Sequence, residues 1–337
     1  MSVDEPVLSV DGLETVFHTS GGTVRAVRGV SFDVRRGERL GIVGESGSGK
    51  SAMALSILGL VEPPGEIVGG SVKVNGRELA GRPERELRAV RGKEISLVYQ
   101  DPMSALDPVK TVGAQLVETL RQHDRSMSRS AARKAAVELL RDVEVAQPER
   151  RLDDYPHQYS GGMRQRVMIA SALANRPDLV IADEPTTALD VTTQAQVLDL
   201  LNRLVSERGA AIMLITHNLG IVAQFCDTVR VMYAGRLVES AEKRALLRAP
   251  AHPYAEALLR AVPRPDRIER GPLPAIDGAP PNLAALPPGC AFEPRCPLGS
   301  GRPRCRDEAP ANRPVQDGRV AECHFAEEQL TRAEVRT

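Results

Sequence analysis

"RLGIVGESGSGKSAMALSILGL", residues 39–60, decides the fold. It opens as a short apolar strand ending in glycine, and from Lys50 onward its apolar residues recur at helical spacing. Between the two, Gly44 to Ser51 spells GESGSGKS and fits G-x-x-x-x-G-K-[ST], in the strand–loop–helix context that gives this pattern its meaning. Glycines let such a loop wrap so closely that successive backbone N–H groups point at a phosphate, and the helix dipole adds attraction. The nucleotide-binding residues expected here are Gly44, Glu45, Ser46, Gly47, Ser48, Gly49, Lys50, Ser51 and Ala52. Lys50 is expected to reach the β- and γ-phosphates of ATP, and the Ser51 hydroxyl to ligate Mg²⁺.

A second apolar strand, "LVIADE" at 179–184, ends in two carboxylates. Open α/β sheets place their ligands beyond such strand ends. Asp183 is expected to hold Mg²⁺ through water, and Glu184 to polarise the attacking water. Gln100 closes the strand "EISLVYQ" and His217 closes "AIMLITH". Four strands are thus expected to deliver Lys50, Gln100, Glu184 and His217 to one edge. There Gln100 senses metal and water, and His217 contacts the γ-phosphate.

Around these motifs the chain is organised in blocks. The first forty residues read as strand pieces, "VLSVDGLETVF" and "VRAVRGVSFDV", separated by a glycine turn. From about Thr111 to Val145 the pattern turns helical, as an inserted subdomain, and after it strands and amphipathic helices alternate. Alternation of that kind implies a mainly parallel sheet covered by helices. Past Leu247 the texture changes: residues 249–289 are dense in proline, with "YAEALLRAV" as their one plausible helix, and the segment shows little apolar periodicity with which to build a core. The expected domains are therefore 1–245 and 246–337.

Composition narrows the class further. A chain of 337 residues with 42% hydrophobic and 26% charged residues has the balance of a soluble globular protein. Forty-four basic and forty-four acidic side chains cancel. No net field draws the protein to nucleic acid, so no nucleic-acid partner is expected. No apolar stretch approaches the roughly 18–20 residues of a membrane helix, and "MSVDEPVLSV" lacks the basic start and apolar run of a secretory signal. A cytosolic location is expected.

One further stretch is unusual: "QYSGGMRQRVMIASALA", 158–174, begins a helix with Ser-Gly-Gly. Bare backbone N–H groups at a helix start form an anion site, Ser160 adds a hydroxyl, and the missing side chains let another surface approach. Within one chain this would duplicate the phosphate loop; between chains it would complete it. With these residues the sequence resembles the ATP-binding cassette (ABC) ATPases, whose fold is a P-loop cassette with an N-terminal antiparallel β subdomain and an inserted helical subdomain. The resemblance implies that Ser160, Gly161, Gly162 and Met163 act in trans on a partner's nucleotide. Asp190, in "ALD" (Ala188 to Asp190), then belongs to the same trans contact. It implies roles for Gln100 and His217 as the Q-loop glutamine and the switch histidine. Phe17 lies where the family carries an aromatic that stacks on adenine, with a strand-core phenylalanine as the equal alternative.

Tyr159 and Met163 replace the commoner Leu and Gln, as in the branch of peptide and nickel importers. "YQDPMSALDPVKTVGAQL" and "HPYAEALLRAVP" resemble that branch too, in particular its D-type subunits, which pair with an F-type subunit. The resemblance implies a dimer-dependent ATPase, peripheral at the cytoplasmic face of the membrane. It would dock on two membrane permease subunits through the helical subdomain, about 101–165, and be served indirectly by an extracytoplasmic substrate-binding protein. Its cargo would be di- or oligopeptides, with nickel or another solute as the alternative. A soluble ABC protein of DNA repair or the ribosome is the rival, but neither a coiled-coil insertion nor a second cassette is visible.

Four of the five cysteines fall after residue 289: Cys290, Cys296, Cys305 and Cys323, with five, eight and seventeen residues between them. In a cytosolic chain, metal ligation is a better expectation than disulfides, and four thiolates suit Zn²⁺ or an iron–sulfur cluster. "GCAFEPRCP" resembles the tail of peptide-importer ATPases. That resemblance places a structural [4Fe-4S] cluster first, zinc second and free thiols third, with His324 as a spare ligand. Cys226 reads as a small buried hydrophobe.

Overall fold

The computed structural model describes residues 5–187, 189–262 and 276–334. Its strands are β1 (Leu8–Thr19), β2 (Gly22–Val34), β3 (Arg39–Val43), β4 (Gly65–Val74), β5 (Arg77–Glu78) and β6 (Ile95–Val98). They continue with β7 (Leu179–Asp183), β8 (Ala211–Thr216), β9 (Thr228–Tyr233), β10 (Arg236–Glu242), β11 (Arg313–Pro314) and β12 (Val320–Ala321). The α-helices are α1 (Lys50–Ile57), α2 (Glu84–Val90), α3 (Pro102–Ala105), α4 (Val112–His123), α5 (Arg129–Asp142), α6 (Pro148–Arg151) and α7 (Gly161–Leu173). After them come α8 (Val191–Glu207), α9 (Leu219–Phe225), α10 (Lys243–Arg248), α11 (Pro253–Arg260), α12 (Pro303–Asp307) and α13 (Ala326–Glu334).

Two compact units share the chain, one built from residues 1–9, 33–38 and 73–213, the other from 10–32, 39–72 and 214–337. In the first, β6 and β7 run parallel in register Ile95↔Leu179 to Val98↔Ala182. Three of four β6 residues and four of five β7 residues are buried, the near-continuous burial of parallel strands covered on both faces. Its helices α4 and α5 start on side-chain caps: Thr111 Oγ1 accepts the Ala114 N–H at 3.2 Å, and Ser128 Oγ accepts that of Ala131 at 3.1 Å. Val112, Leu116 and Leu120 then fall on one buried stripe of α4. Gly113 is required on that stripe, because a Cβ there would lie 2.7 Å from the Leu152 carbonyl oxygen.

In the second unit, β1 and β2 are hydrogen-bonded neighbours joined by two residues, so they form an antiparallel hairpin. There β3 pairs parallel with β9, β9 pairs antiparallel with β10, and β10 with β12. The β9–β10 turn has positive φ at Ala234 (48°) and Gly235 (79°), the two-residue geometry that matches strand twist. Glu239 on β10 is fully buried and accepts the N–H groups of Ala251 (2.9 Å) and His252 (2.8 Å); burial pushes its carboxyl up to about 7. Those two bonds fix the start of α11.

The tail departs from the sequence expectation. Beyond the proline-dense stretch it holds α12 and α13, and it builds a core from Ala249, Ala251, Ala321, Cys323, Ala326, Leu330 and Ala333. Small residues supply that core, so hydrophobic periodicity gives little notice of it.

Candidate functional site

The phosphate loop lies wholly in the second unit and its shape follows from its glycines. A Cβ on Gly44 would meet the Met232 carbonyl oxygen at 2.2 Å, and one on Gly49 the Ala26 carbonyl oxygen at 2.2 Å. Gly49 also has φ 106°, where a side chain is strained regardless of space. Gly47 has φ 78° but faces nothing within 4 Å, so its cost is conformational alone. Gly49→Ala is therefore expected to lower the thermal midpoint by roughly 3–10 °C and to weaken ATP binding, with Gly47→Ala clearly milder. Equal melting curves for the two variants would contradict this reading of the loop.

Inside the loop Lys50 is buried. Its ammonium donates to the carbonyl oxygens of Gly44 (2.8 Å) and Glu45 (2.9 Å) and to Ser48 Oγ (3.4 Å). The loop thus closes on its own lysine. α1 starts at Lys50 with Gly49 as its N-cap, and a glycine there brings no side chain to the helix start, the arrangement of an anion site. Ser46, Gly47 and Ser51 are exposed, Glu45, Gly49 and Ala52 half-buried, and Ser48 buried. The loop is braced from outside as well, with the Gly235 N–H donating to the Ser48 carbonyl at 2.9 Å. Phe17 is half-buried and packed so closely that a Cβ on Gly65 would meet its ring at 2.6 Å. His217 is exposed one residue beyond β8, where Asn218 caps α9 by accepting the Gly220 N–H at 2.9 Å.

The first unit brings together Gln100, which stands two residues past β6 rather than closing it, and Glu184, one residue past β7. Gln100 Nε2 donates to Glu184 Oε2 at 3.4 Å, and Thr187 Oγ1 donates to the same oxygen at 2.9 Å. Asp183 is the last residue of β7, and Glu184 turns away from it with φ 43°, a left-handed conformation that L-residues rarely hold. Such a conformation costs roughly 1–2 kcal/mol and aims the carboxylate independently of the strand.

In the same unit α7 begins at the Ser-Gly-Gly stretch. Ser160 caps it by accepting the Met163 N–H at 3.3 Å; Ser160 and Gly161 are exposed, Gly162 and Met163 half-buried. A Cβ on Gly162 would meet Thr193 Cγ2 at 2.8 Å, so the second glycine is needed for packing against α8. A Cβ on Gly161 would make only an ordinary 3.6 Å contact with Leu189, so that glycine leaves the helix start open. Asp190 caps α8, accepting N–H groups from Thr192 (3.1 Å) and Thr193 (3.0 Å), and these bonds hold its carboxyl below the usual range. Ala188 lies outside the described residues.

Cys290, Cys296, Cys305 and Cys323 line one small cavity of about 10 Å³ together with His252, Phe292 and His324. The Cys290 N–H donates to the Cys305 carbonyl at 2.8 Å, and the Gly299 N–H donates to Cys296 Sγ at 3.1 Å. A Cβ on Gly299 would sit 2.9 Å from Cys305 Sγ and 3.3 Å from Cys296 Sγ, so only glycine leaves those sulfurs room. Burial raises the thiols, Cys290 to about 11 and Cys323 to about 12. Among the described residues no three His, Cys, Asp or Glu side chains group closely enough for a single metal ion. His324 Nε2 is engaged with the Glu308 carbonyl at 3.0 Å. Cys226 is buried, its thiol pushed up to about 12, and it packs where a Cβ on Gly41 would touch its sulfur at 3.0 Å.

The sequence reading gave no role to a set of residues that reach the phosphate loop from the tail. Arg295 grips the Glu45 carboxylate with two bonds (Nη1 to Oε2, 2.8 Å; Nη2 to Oε1, 3.0 Å), and the Glu45 N–H donates to Tyr254 Oη at 2.7 Å. Partners 209 and 250 residues apart carry no local signal.

A strand, a glycine loop closed on its lysine, and a helix start with glycine as its cap define a P-loop nucleotide-binding cassette. Comparison with known proteins is consistent with this. The family profile described as "ABC transporter" matches residues 27–187, and that of "Oligopeptide/dipeptide transporter, C-terminal region" matches 238–305. The chain is 49% identical to the oligopeptide transport ATP-binding protein OppD of Salmonella typhimurium, over 96% of this chain and 95% of that one. It is 50% identical to the dipeptide transport ATP-binding protein DppD of Bacillus subtilis, over 87% of each. The solved dimer of the ATP-binding cassette MJ0796 in a post-hydrolysis state with ADP and phosphate aligns with a TM-score of 0.63 and 29% identity, covering 70% of this chain and 99% of that one. The chain belongs to the ATP-binding subunits of oligopeptide and dipeptide ABC importers. It is an ATPase of the ABC class.

Proposed function

We propose that this subunit powers peptide uptake by closing on MgATP as one half of an ATPase dimer, with an F-type subunit as the other half. Two permease subunits would carry the peptide, delivered by an extracytoplasmic binding protein, and the ATPase pair would sit at the cytoplasmic face. The observation that supports this reading is the loop closed around Lys50; within the other unit, the Gln100–Glu184 contact separately supports the catalytic assignment. In the proposed cycle Lys50 and the loop N–H groups hold the phosphates, while Ser51, Gln100 and Asp183 hold Mg²⁺. Glu184 orients water and His217 contacts the γ-phosphate. Phe17 supplies an aromatic face for adenine, and 101–165 serves as the docking subdomain. Ser160 to Met163 and Asp190 belong to the partner's nucleotide. The domain division at about 245 is part of the same reading. Closure on ATP and reset on hydrolysis form the two states of alternating access.

For the four tail cysteines we infer a [4Fe-4S] cluster first, zinc second and free thiols third, the order the family resemblance of this segment implies. The support for placing a ligated group ahead of free thiols is that Cys290, Cys296, Cys305 and Cys323 line one cavity, a set of four thiols that could ligate either group. Such a group would serve as a structural crosslink, and N–H donation to Cys296 Sγ is the kind of bond that steadies a ligating thiolate.

One preparation tests both statements. The tagged chain, drawn from membranes under anaerobic conditions, is expected to bring two permeases and a second ATPase, and to carry iron and sulfide with absorbance near 400 nm. Ribosomes or DNA in their place would end the transport reading; colourless protein with stoichiometric zinc would end the cluster reading.

A further inference from the structure

All three polar groups of Glu45 are held. Its carbonyl accepts from Lys50 Nζ (2.9 Å) and from the Ser48 N–H (3.2 Å), its N–H donates to Tyr254 Oη (2.7 Å), and its carboxylate receives the Arg295 fork. The last two partners belong to the tail. Neither is a loose surface group: Tyr254 is fully buried, and the Arg295 side chain is 4% exposed.

The support behind these partners is aromatic. Tyr254 packs on Tyr233 (ring centroids 4.5 Å) and on Phe292 (5.3 Å), and Tyr233 meets Phe292 edge-on at 5.2 Å. The Arg295 guanidinium lies 6.0 Å from the ring centroids of both Tyr233 and Phe292. Tyr233 directly follows Met232, whose carbonyl oxygen occupies the space beside Gly44. Phe292 lines the cysteine cavity, and Arg295 precedes Cys296. One packed block therefore joins the cysteine-bearing segment to the second residue of the phosphate loop.

We propose that Tyr254 and Arg295 are positioning residues for ATP binding. By fixing Glu45 they set the carbonyl that steers Lys50 and decide which loop N–H groups remain for phosphate. The Tyr254 bond turns the Glu45 amide away from the loop interior and marks where the phosphate-facing amides begin. The Arg295 fork stops the Glu45 side chain, an anion, from swinging toward a triphosphate, where like charges repel. Nucleotide affinity is thereby a property of the tail as well as of the loop.

The proposal rests on the reading that this loop binds ATP, and its test separates the two. MgATP affinity is measured on the full-length chain, beside KM and kcat in the assembled transporter and a thermal melt. Tyr254→Phe, which removes one oxygen and keeps the ring, is expected to raise Kd and KM by about tenfold, the effect of one lost hydrogen bond at a site that must stay in register. KM is expected to move more than kcat. Arg295→Gln is expected to do at least as much, and Arg295→Lys to recover part of the loss, because charge returns without the fork. The double variant Glu45→Gln/Arg295→Gln is expected to be no weaker in binding than Arg295→Gln alone, since one contact cannot be lost twice.

Affinities within twofold of wild type for both Tyr254→Phe and Arg295→Gln would overturn the proposal. If Arg295→Gln does not fold, Tyr254→Phe decides. Lys50→Ala isolates the underlying reading: wild-type MgATP affinity there would remove the ATP site itself. A large loss in Lys50→Ala with none in the tail variants would remove only the positioning role.

Discussion

Glu184→Gln is expected to cut ATP turnover by at least about a hundredfold while leaving MgATP affinity within about threefold. Glutamine keeps the size of the side chain and an oxygen that can accept from Thr187 Oγ1, which now sits 2.9 Å from Glu184 Oε2. It loses the charge that polarises water. The backbone is already in its unusual state at φ 43°, so the substitution changes chemistry rather than placement. With hydrolysis blocked and binding intact, the closed ATP-bound dimer is expected to accumulate and to elute at dimer size in MgATP. Turnover within twofold of wild type would rule out the assigned role. A collapse in ATP affinity would show that the carboxylate acts on binding instead.

The second large effect is expected at Ser160. Ser160→Arg should abolish turnover while the isolated chain still binds MgATP. Magnitudes make this informative. Losing the cap to the Met163 N–H costs about 1 kcal/mol, and a cation at the helix start roughly 0.3–1 kcal/mol more, too little to unfold a domain. A lost activity with retained binding therefore points to a surface that acts on another subunit's nucleotide. Ser160→Ala, which removes the cap and adds no bulk, is expected to keep a substantial part of the activity. Loss of ATP binding by the isolated Ser160→Arg chain would contradict the trans assignment.

Much of the cassette was readable from the chain itself because its signals are local. Residues 39–57 declare a strand, a glycine loop and a helix within one short window, and β3, the loop and α1 occupy those places. "LVIAD" is both a sequence run and β7, whereas Ser160, expected only to add a hydroxyl beside bare N–H groups, also accepts the Met163 N–H as the cap of α7. Gln100 and His217 stand just past their strands rather than closing them, with β6 ending at Val98 and β8 at Thr216.

The tail was not readable in the same way. Its strands β11 and β12 are two residues long, and β12 finds its partner in β10 some eighty positions upstream. Its core is mostly alanine, which weighs little in any apolar pattern. The Glu45 contacts with Tyr254 and Arg295 depend on that tertiary arrangement, so no window of sequence contains them. Each is visible only once the chain has returned to the loop it left two hundred residues earlier.

The bonds from Lys50 to the carbonyls of Gly44 and Glu45 have an entropic consequence. A lysine held by two carbonyls of its own loop has little rotamer freedom left to lose, so a phosphate that meets it is met by a charge already in place. Rotational freedom that most lysines lose on meeting an anion is here given up in folding, which turns part of the ligand's cost into a cost of making the protein.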